Sequence, residues 1–252
     1  AGADQRRLRP AAPRARIGAR VSGAPVEFPS PNHAARDAAV DLLVLHYTEL
    51  PLVESLSILT DDQRVGRVSA HYVLDLDGTA YRLVPEDRVA WHAGKSGWRG
   101  REALNGSSIG IEIVNLHGDR FAYPARQVEA LVALCHGIVA RHPLIVPRNV
   151  VGHSDIAPRR KIDPGLLFPW ATLAAAGIGM WPRAGAAGRT LDGDLATALS
   201  LFGYPPPTEE VPAREIVAAF QRRFRPARAD GLEDAETRGL AADLLDQVGH
   251  RP

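Results

Sequence analysis

Residues 151–165 constrain this chain more than any other segment. They read Val-Gly-His-Ser-Asp-Ile-Ala-Pro-Arg-Arg-Lys-Ile-Asp-Pro-Gly, with Pro158 and Pro164 inside the run and Gly152 and Gly165 near its ends. Proline lacks the amide hydrogen that a helix or ladder needs, so a stretch broken this way must follow a loop path of its own. That loop carries His153, Lys161 and Asp163 close together. If it folds back on itself, the imidazole and the carboxylate converge on one metal ion with the ammonium beside them. Ligands, an open coordination position and a cation near a developing oxyanion are what a zinc hydrolase requires.

The surrounding pattern is α/β. Asp41-Leu42-Leu43-Val44-Leu45-His46-Tyr47 is an apolar run of the kind a buried strand shows. Residues 52–59 read as a short helix. His71-Tyr72-Val73-Leu74-Asp75-Leu76 meets Ala80-Tyr81-Arg82-Leu83-Val84 across Asp77-Gly78, a hairpin-turn signal. Ser108-Ile109-Gly110-Ile111-Glu112-Ile113-Val114 alternates and is rich in β-branched residues, as a strand is. Between Pro124 and His142, Val128, Leu131, Val132, Cys135, Ile138 and Val139 form the apolar stripe of an amphipathic helix.

Strands separated by helices predict an α/β domain over residues 35–180, a mixed central sheet flanked by helices. Residues 1–34, rich in Arg, Ala and Pro, are expected to lie as an extended arm over its surface. Residues 181–189 have the composition of a linker. Residues 190–252 carry three short helical patterns, at about 191–202, 212–224 and 233–247, which predict a small C-terminal three-helix domain. So small a bundle is near the lower limit for a core of its own and is expected to dock against the larger domain.

Composition narrows the class. With 252 residues the chain has room for one large domain, or a medium one plus a small one. A hydrophobic content of 45% with 23% charged residues is ordinary for a soluble globular protein. A net charge of +1 offers no clustered basic excess, so nucleic acid is not an expected partner. No apolar run approaches the roughly 18–20 residues of a membrane-spanning helix. The lone Cys135 excludes an internal disulfide framework and falls on an apolar helix stripe as inert core. The chain starts Ala1-Gly2-Ala3, and its only methionine is Met180. That start fits removal of a secretory or lipoprotein signal, and equally a start at an internal point.

His46 ends the first strand, where a side chain can face a cleft. Alone it reads best as a hydrogen-bonded core histidine. With His153 and Asp163 it makes two imidazoles and one carboxylate, which leaves a fourth tetrahedral position open, the ligand count of a catalytic zinc site. The chain has no His-Glu-x-x-His segment, which excludes the common metalloprotease arrangement. Glu112 interrupts an otherwise apolar strand, where a carboxylate is unfavourable unless paired. A solvent-facing strand position would explain it. Gly110 would share its face, however, and a glycine there suits close approach of a ligand. Glu112 is therefore expected to hold the attacking water and take its proton. Lys161, two residues before a proposed ligand, is expected to stabilise charge developing on the attacked carbonyl oxygen. Tyr72 and Trp91-His92-Ala93-Gly94 are candidate cleft walls, with Trp91 and Trp98 as candidate ligand contacts. His71, His92 and His117 are the alternative metal ligands, although their segments offer no comparable convergence.

Five blocks in order resemble the zinc-dependent N-acetylmuramoyl-L-alanine amidases, the type 2 amidase family that shares a fold with peptidoglycan recognition proteins. They are Leu45-His46-Tyr47-Thr48, Ser69-Ala70-His71-Tyr72, Ala90-Trp91-His92-Ala93-Gly94, Ser108-Ile109-Gly110-Ile111-Glu112, and the loop from Gly152 through Gly165. The resemblance implies one zinc ion per chain held by His46, His153 and Asp163, with Glu112 and Lys161 catalytic. It implies cleavage of the amide between the lactyl group of N-acetylmuramic acid, or its 1,6-anhydro form, and L-Ala of the stem peptide. Tyr47, Tyr72, Trp91, His92, Ala93, Arg101 and Asn105 are the implied substrate contacts. Some relatives carry an arginine where this chain has Ala103, so recognition of the stem-peptide carboxylate turns to Arg88, Arg99 or Arg101.

The tail extends the resemblance. Leu201-Phe202-Gly203-Tyr204, Ala219-Phe220-Gln221-Arg222-Arg223-Phe224, and Asp230-Gly231 with Asp234-Ala235-Glu236-Thr237 look like a three-helix peptidoglycan-binding domain. The whole chain then resembles the periplasmic, lipoprotein-type members, with an outer-membrane lipid anchor N-terminal to residue 1, and is expected to be monomeric. Its partners would be peptidoglycan or muropeptide fragments. Two other readings compete. A recognition protein would bind the same ligand uncut and would be expected to lack a ligand or the catalytic pair. A cytoplasmic recycling amidase would need neither the C-terminal helices nor a removed N-terminus.

Overall fold

The two apolar runs at 42–47 and 108–113 become the centre of the sheet. The computed structural model describes residues 23–250. In chain order its strands are β1 (Val26–Glu27), β2 (His33–Ala35), β3 (Leu42–Tyr47), β4 (Tyr72–Leu74), β5 (Ala80–Arg82), β6 (Arg88–Ala90), β7 (Gly97–Trp98), β8 (Arg101–Glu102), β9 (Ser108–Ile113) and β10 (Val150–Gly152). Its helices are α1 (Leu52–Thr60), α2 (Ala125–Arg141), α3 (His153–Ile156), α4 (Trp170–Ala175), α5 (Leu195–Phe202), α6 (Ala213–Phe224) and α7 (Ala235–Gln247).

Six strands form one mixed sheet in the order β1-β5-β4-β9-β3-β10, in which only the β4–β5 hairpin is antiparallel. β3 is buried along its whole length, as expected for a strand covered on both faces. Leu43 and Leu45 pack with Leu131, Cys135 and Ile138 of α2. Leu42 and Val44, on the opposite face, share a cluster with Phe202, Phe220 and Leu244 of the C-terminal helices. The small helical bundle therefore has no separate core, since one layer of side chains serves both it and the sheet.

Two aspartates set where the last helices begin. Asp194 accepts from the Thr197 amide at 2.7 Å and Asp234 from the Thr237 amide at 2.9 Å, each such cap stabilising by about 1 kcal/mol. The helices accordingly start a few residues after the points where the apolar pattern begins. Residues 181–189 are tied down rather than loose. Arg183 and Arg189 both pair with Asp243 on α7, and any Cβ on Gly239 would fall 2.6 Å from the Ala186 carbonyl.

Residues 1–22 of the expected N-terminal arm lie outside the described residues. Residues 23–34 do not simply lie over the surface, because β1 extends the sheet beyond β5 and β2 pairs with β6. With the Phe28 and Ser30 amides donating to the Arg82 and Leu83 carbonyls between these two pairings, the segment is part of the sheet system.

Candidate metal centre

Three parallel strands deliver the candidate residues to one place. β3 and β9 pair in register, with His46 directly opposite Glu112. Gly152, the last residue of β10, pairs with Leu45, so His153 emerges next to His46 at the carboxyl ends of the strands. Ligands in open parallel sheets gather at that edge. The loop then returns. The Ser154 amide donates to the Asp163 carbonyl at 2.9 Å, and the Tyr123 hydroxyl holds the Pro164 carbonyl at 2.8 Å. The broken loop contains one helical turn, α3, and a cis Asp163–Pro164 bond.

His46 Nδ1, His153 Nδ1 and Asp163 Oδ2 face one another at 2.9, 3.1 and 3.1 Å. All three side chains are buried, and this is a group whose donor atoms could hold a metal ion. Metal bonds of about 2.0–2.2 Å at tetrahedral angles place ligand atoms roughly 3.3–3.6 Å apart, close to what these residues present. Two imidazoles and a carboxylate have at most two protons to share across three contacts, so mutual hydrogen bonding cannot satisfy them. A cation can. The electrostatics agree: burial, with the neighbouring His153, lowers His46 to about 4, so its ring is neutral at pH 7. Burial would raise Asp163, but the two histidines outweigh it and hold it well below the usual carboxylate range.

Glu112 lies at the floor of the same cleft, half-buried and without a hydrogen-bond partner among the described residues. Burial and then the Asp163 charge raise it to about 8, against the opposing pull of Lys161. The cleft has a volume of about 520 Å³, and Tyr47, Trp91, Arg159, Arg160 and Lys161 also line it.

A family model described as N-acetylmuramoyl-L-alanine amidase matches residues 36–166, more than half of the chain. The chain is 41% identical over 236 residues to N-acetylmuramoyl-L-alanine amidase AmiD of Escherichia coli (strain K12), covering 83% of this chain and 84% of that protein. The chain belongs to the N-acetylmuramoyl-L-alanine amidase family. The solved complex of the E. coli amidase with the substrate anhydro-N-acetylmuramic acid-L-Ala-D-gamma-Glu-L-Lys superposes with a TM-score of 0.73, over 86% of this chain and 93% of that one. AmpDh3 from Pseudomonas aeruginosa, solved with anhydromuramic pentapeptide, is 38% identical with a TM-score of 0.75, over 83% of this chain and 92% of that one. The 1,6-anhydro-N-acetylmuramyl-L-alanine amidase AmpD of Citrobacter freundii, 38% identical, aligns with 58% of this chain and 87% of its own length.

Within this amidase-family site, the expected substrate contacts separate into two groups. Tyr47, Trp91 and His92 line the cleft, and the Arg67 guanidinium lies 5.1 Å from the centre of the Trp91 ring. The others point elsewhere. Tyr72 is buried and donates its hydroxyl to Glu86 at 2.7 Å. Arg101 pairs with Asp41 on the outer surface, and Arg88 and Arg99 do not line the cleft either. Asn105 Oδ1 accepts from the His92 and Ala93 amides at 3.1 and 2.8 Å. Trp98 is fully buried against Phe202 and Tyr204, part of the core shared with the C-terminal helices. His71 is engaged by the Gly110 amide and the Arg88 carbonyl, and neither it nor His117 joins the ligand group.

Arg159 and Arg160 are cleft residues that the sequence reading missed, although they adjoin Lys161 in the same loop. Leu50, Ser55, Ile58 and Leu59 form another wall. Only the amphipathic pattern of residues 52–59 could have indicated it.

Proposed function

We propose that this chain hydrolyses the amide between N-acetylmuramic acid, or its 1,6-anhydro form, and L-Ala of the stem peptide in peptidoglycan and muropeptides. The observation that carries this reading is the buried convergence of His46, His153 and Asp163 beside Glu112 at the strand ends. The solved relatives bound to anhydromuramyl peptides support the substrate class.

His46 Nδ1, His153 Nδ1 and one oxygen of Asp163 would hold a single zinc ion. Zinc supplies Lewis acidity toward a carbonyl oxygen and makes water a nucleophile at neutral pH. Glu112, facing the cleft beside His46, takes a proton from the attacking water. A carboxyl raised by its surroundings keeps that proton long enough to pass it to the departing amide nitrogen. Bound positive charge would bring it down from about 8 towards neutrality. Lys161 reaches the same cleft and opposes the negative charge that develops on the carbonyl oxygen. Tyr47 and Trp91 provide amphipathic walls, and Arg159 and Arg160 add positive charge that suits the carboxylates of a stem peptide.

The proposed division of labour gives residues 35–180 the chemistry and residues 190–252 a peptidoglycan-binding-like role. The proposed compartment is the periplasm, where the polymer lies, with a lipid anchor to the outer membrane as the attachment. No helix among the described residues is long and apolar enough to cross a membrane.

The deciding experiment is mass spectrometry of a purified anhydromuramyl peptide after incubation with the protein. Free stem peptide is the expected product, and sugar–sugar cleavage would overturn the reading. Glu112→Ala and Lys161→Ala are expected to abolish turnover, and near-normal rates in both would remove their assigned roles.

A further inference from the structure

A run of buried contacts starts at His46 and leads away from the cleft. His46 Nε2 lies 3.0 Å from His92 Nδ1, and His92 Nε2 lies 3.1 Å from Ser108 Oγ. The Ser108 hydroxyl donates to the Leu104 carbonyl at 2.7 Å. The proton positions follow from the far end. A carbonyl only accepts, so the single hydroxyl proton of Ser108 points at Leu104. Ser108 must then accept from His92, which places the His92 proton on Nε2. His92 is buried against the rings of His46 and His71, where a charged imidazolium is unfavourable. As a neutral ring it has no second N–H, and its Nδ1 presents a lone pair. His46 must therefore donate from Nε2, which leaves its own Nδ1 bare and directed at Asp163.

His153 is held by two contacts of opposite kind. Its Nε2 lies 3.1 Å from the Ala93 carbonyl, which only accepts, and 3.1 Å from Arg160 Nη2, which only donates. The proton assignment is therefore carried by His46 alone. Residues 91–94 touch both imidazoles, one through the His92 side chain and the other through the Ala93 carbonyl. Asn105 clamps this segment by accepting from both amides. Gly110 completes the arrangement. A Cβ there would lie 2.4 Å from His92 Cγ, so the close approach that this glycine permits is that of the His92 ring.

We propose that His92 is a positioning residue, held by Ser108 and by the space at Gly110, which locks His46 in the Nε2–H tautomer and presents its Nδ1 lone pair to the metal site. This rests on the metal reading above and assigns His92 and Ala93 to orienting ligands rather than to gripping substrate. A bare His46 Nδ1 held 3.1 Å from the Asp163 carboxylate oxygen repels it until a cation joins them, so the device raises metal affinity by preorganisation.

The first test is the imidazole ¹⁵N–¹H correlation spectrum of the metal-free, full-length wild-type protein. An Nε2–H signature is expected for His46, and an Nδ1–H signature for His46 would overturn the proposal. The second is zinc affinity by competition with a chromophoric chelator. His92→Phe removes the acceptor and is expected to weaken binding about 10–100-fold, as loss of an outer-shell partner typically does. Gly110→Ala, which alters no donor or acceptor, is expected to weaken it in the same direction. His92→Asn, whose amide oxygen overlays Nδ1, should recover most of the loss. Equal zinc affinity in wild type and His92→Phe would remove this proposal alone. A wild-type protein that bound no zinc would remove the metal reading itself.

Discussion

Replacing Arg223 by methionine removes one half of a buried ion pair and leaves the other half in place. Arg223 on α6 donates from Nη1 to Asp155 Oδ2 at 2.8 Å and from Nη2 to the Val150 carbonyl at 2.9 Å. Its guanidinium stands 4.2 Å from the centre of the Trp170 ring, and both charged side chains are only 1% exposed. Asp155 also accepts from the Tyr204 hydroxyl at 2.6 Å and from the Gly152 amide at 2.8 Å. Breaking a buried pair from one side costs about 3–5 kcal/mol, because the remaining charge stays desolvated without its partner. For a chain of this size, that converts to a fall in Tm of roughly 6–20 °C.

Urea denaturation followed by far-UV circular dichroism would measure the loss, together with the Asp155→Asn single variant and the double variant. The Asp155→Asn side chain carries no charge and keeps one acceptor oxygen where Asp155 offers two, one to the Gly152 amide and the other to the Tyr204 hydroxyl; the double variant should still lose less than the two single losses added. A cost for Arg223→Met below about 1 kcal/mol, or strict additivity, would refute the reasoning. Function is coupled to this pair as well, since Asp155 and the proposed ligand His153 share α3. Loosening α6 should therefore also weaken metal binding at a site to which α6 contributes no ligand. That would mean the C-terminal helices brace the centre from behind.

Three further outcomes follow from the geometry. Gly118→Ala would place a Cβ 2.5 Å from the Pro164 carbonyl and 2.7 Å from the Tyr47 ring; a loss of about 1–3 kcal/mol is expected in thermal unfolding, and an unchanged Tm would contradict it. Glu112 is raised in the folded chain from 4.5 to about 8, so its contribution to stability is fully present below about pH 4.5 and lost as pH rises through about 8. The stability of the metal-free wild type should decline over that interval, Glu112→Gln should remove the decline, and parallel curves would show the carboxyl to be unperturbed. Chelation should lower Tm, and free zinc at a hundredfold excess over its Kd should restore about 2.7 kcal/mol; a Tm indifferent to chelator would exclude a structural contribution from the ion.

What was legible in the sequence was whatever periodicity or punctuation records locally. The strand at 42–47, the helix at 125–141 and the loop with His153 and Asp163 all have such signals, as do the three C-terminal helices. The register that sets His46 opposite Glu112 has none, because pairing between distant strands is decided by packing on both faces of the sheet. The direction of a loop histidine is equally hidden. His92 reads as a cleft residue, but both of its nitrogens are engaged within the protein. Nothing in the sequence of α6 separates Arg223 from Arg222 beside it, and only the shared core reveals that Arg223 is buried against Trp170.

The glycines carry the same lesson further. Gly110, Gly118 and Gly152 all surround the centre, and none has a positive φ that would demand glycine. Space demands it. A Cβ on Gly110 meets the His92 ring at 2.4 Å, on Gly118 the Pro164 carbonyl at 2.5 Å, and on Gly152 the Pro164 ring at 2.7 Å. A sequence reader takes such glycines for turns or for places where ligand approaches. Here they let the chain pack against itself, bringing the return of the loop at Pro164 against two separate backbones. Interiors this dense transmit small displacements instead of absorbing them. The placement of Asp163 relative to His46 is therefore a property of three missing methyl groups as much as of the ligands themselves.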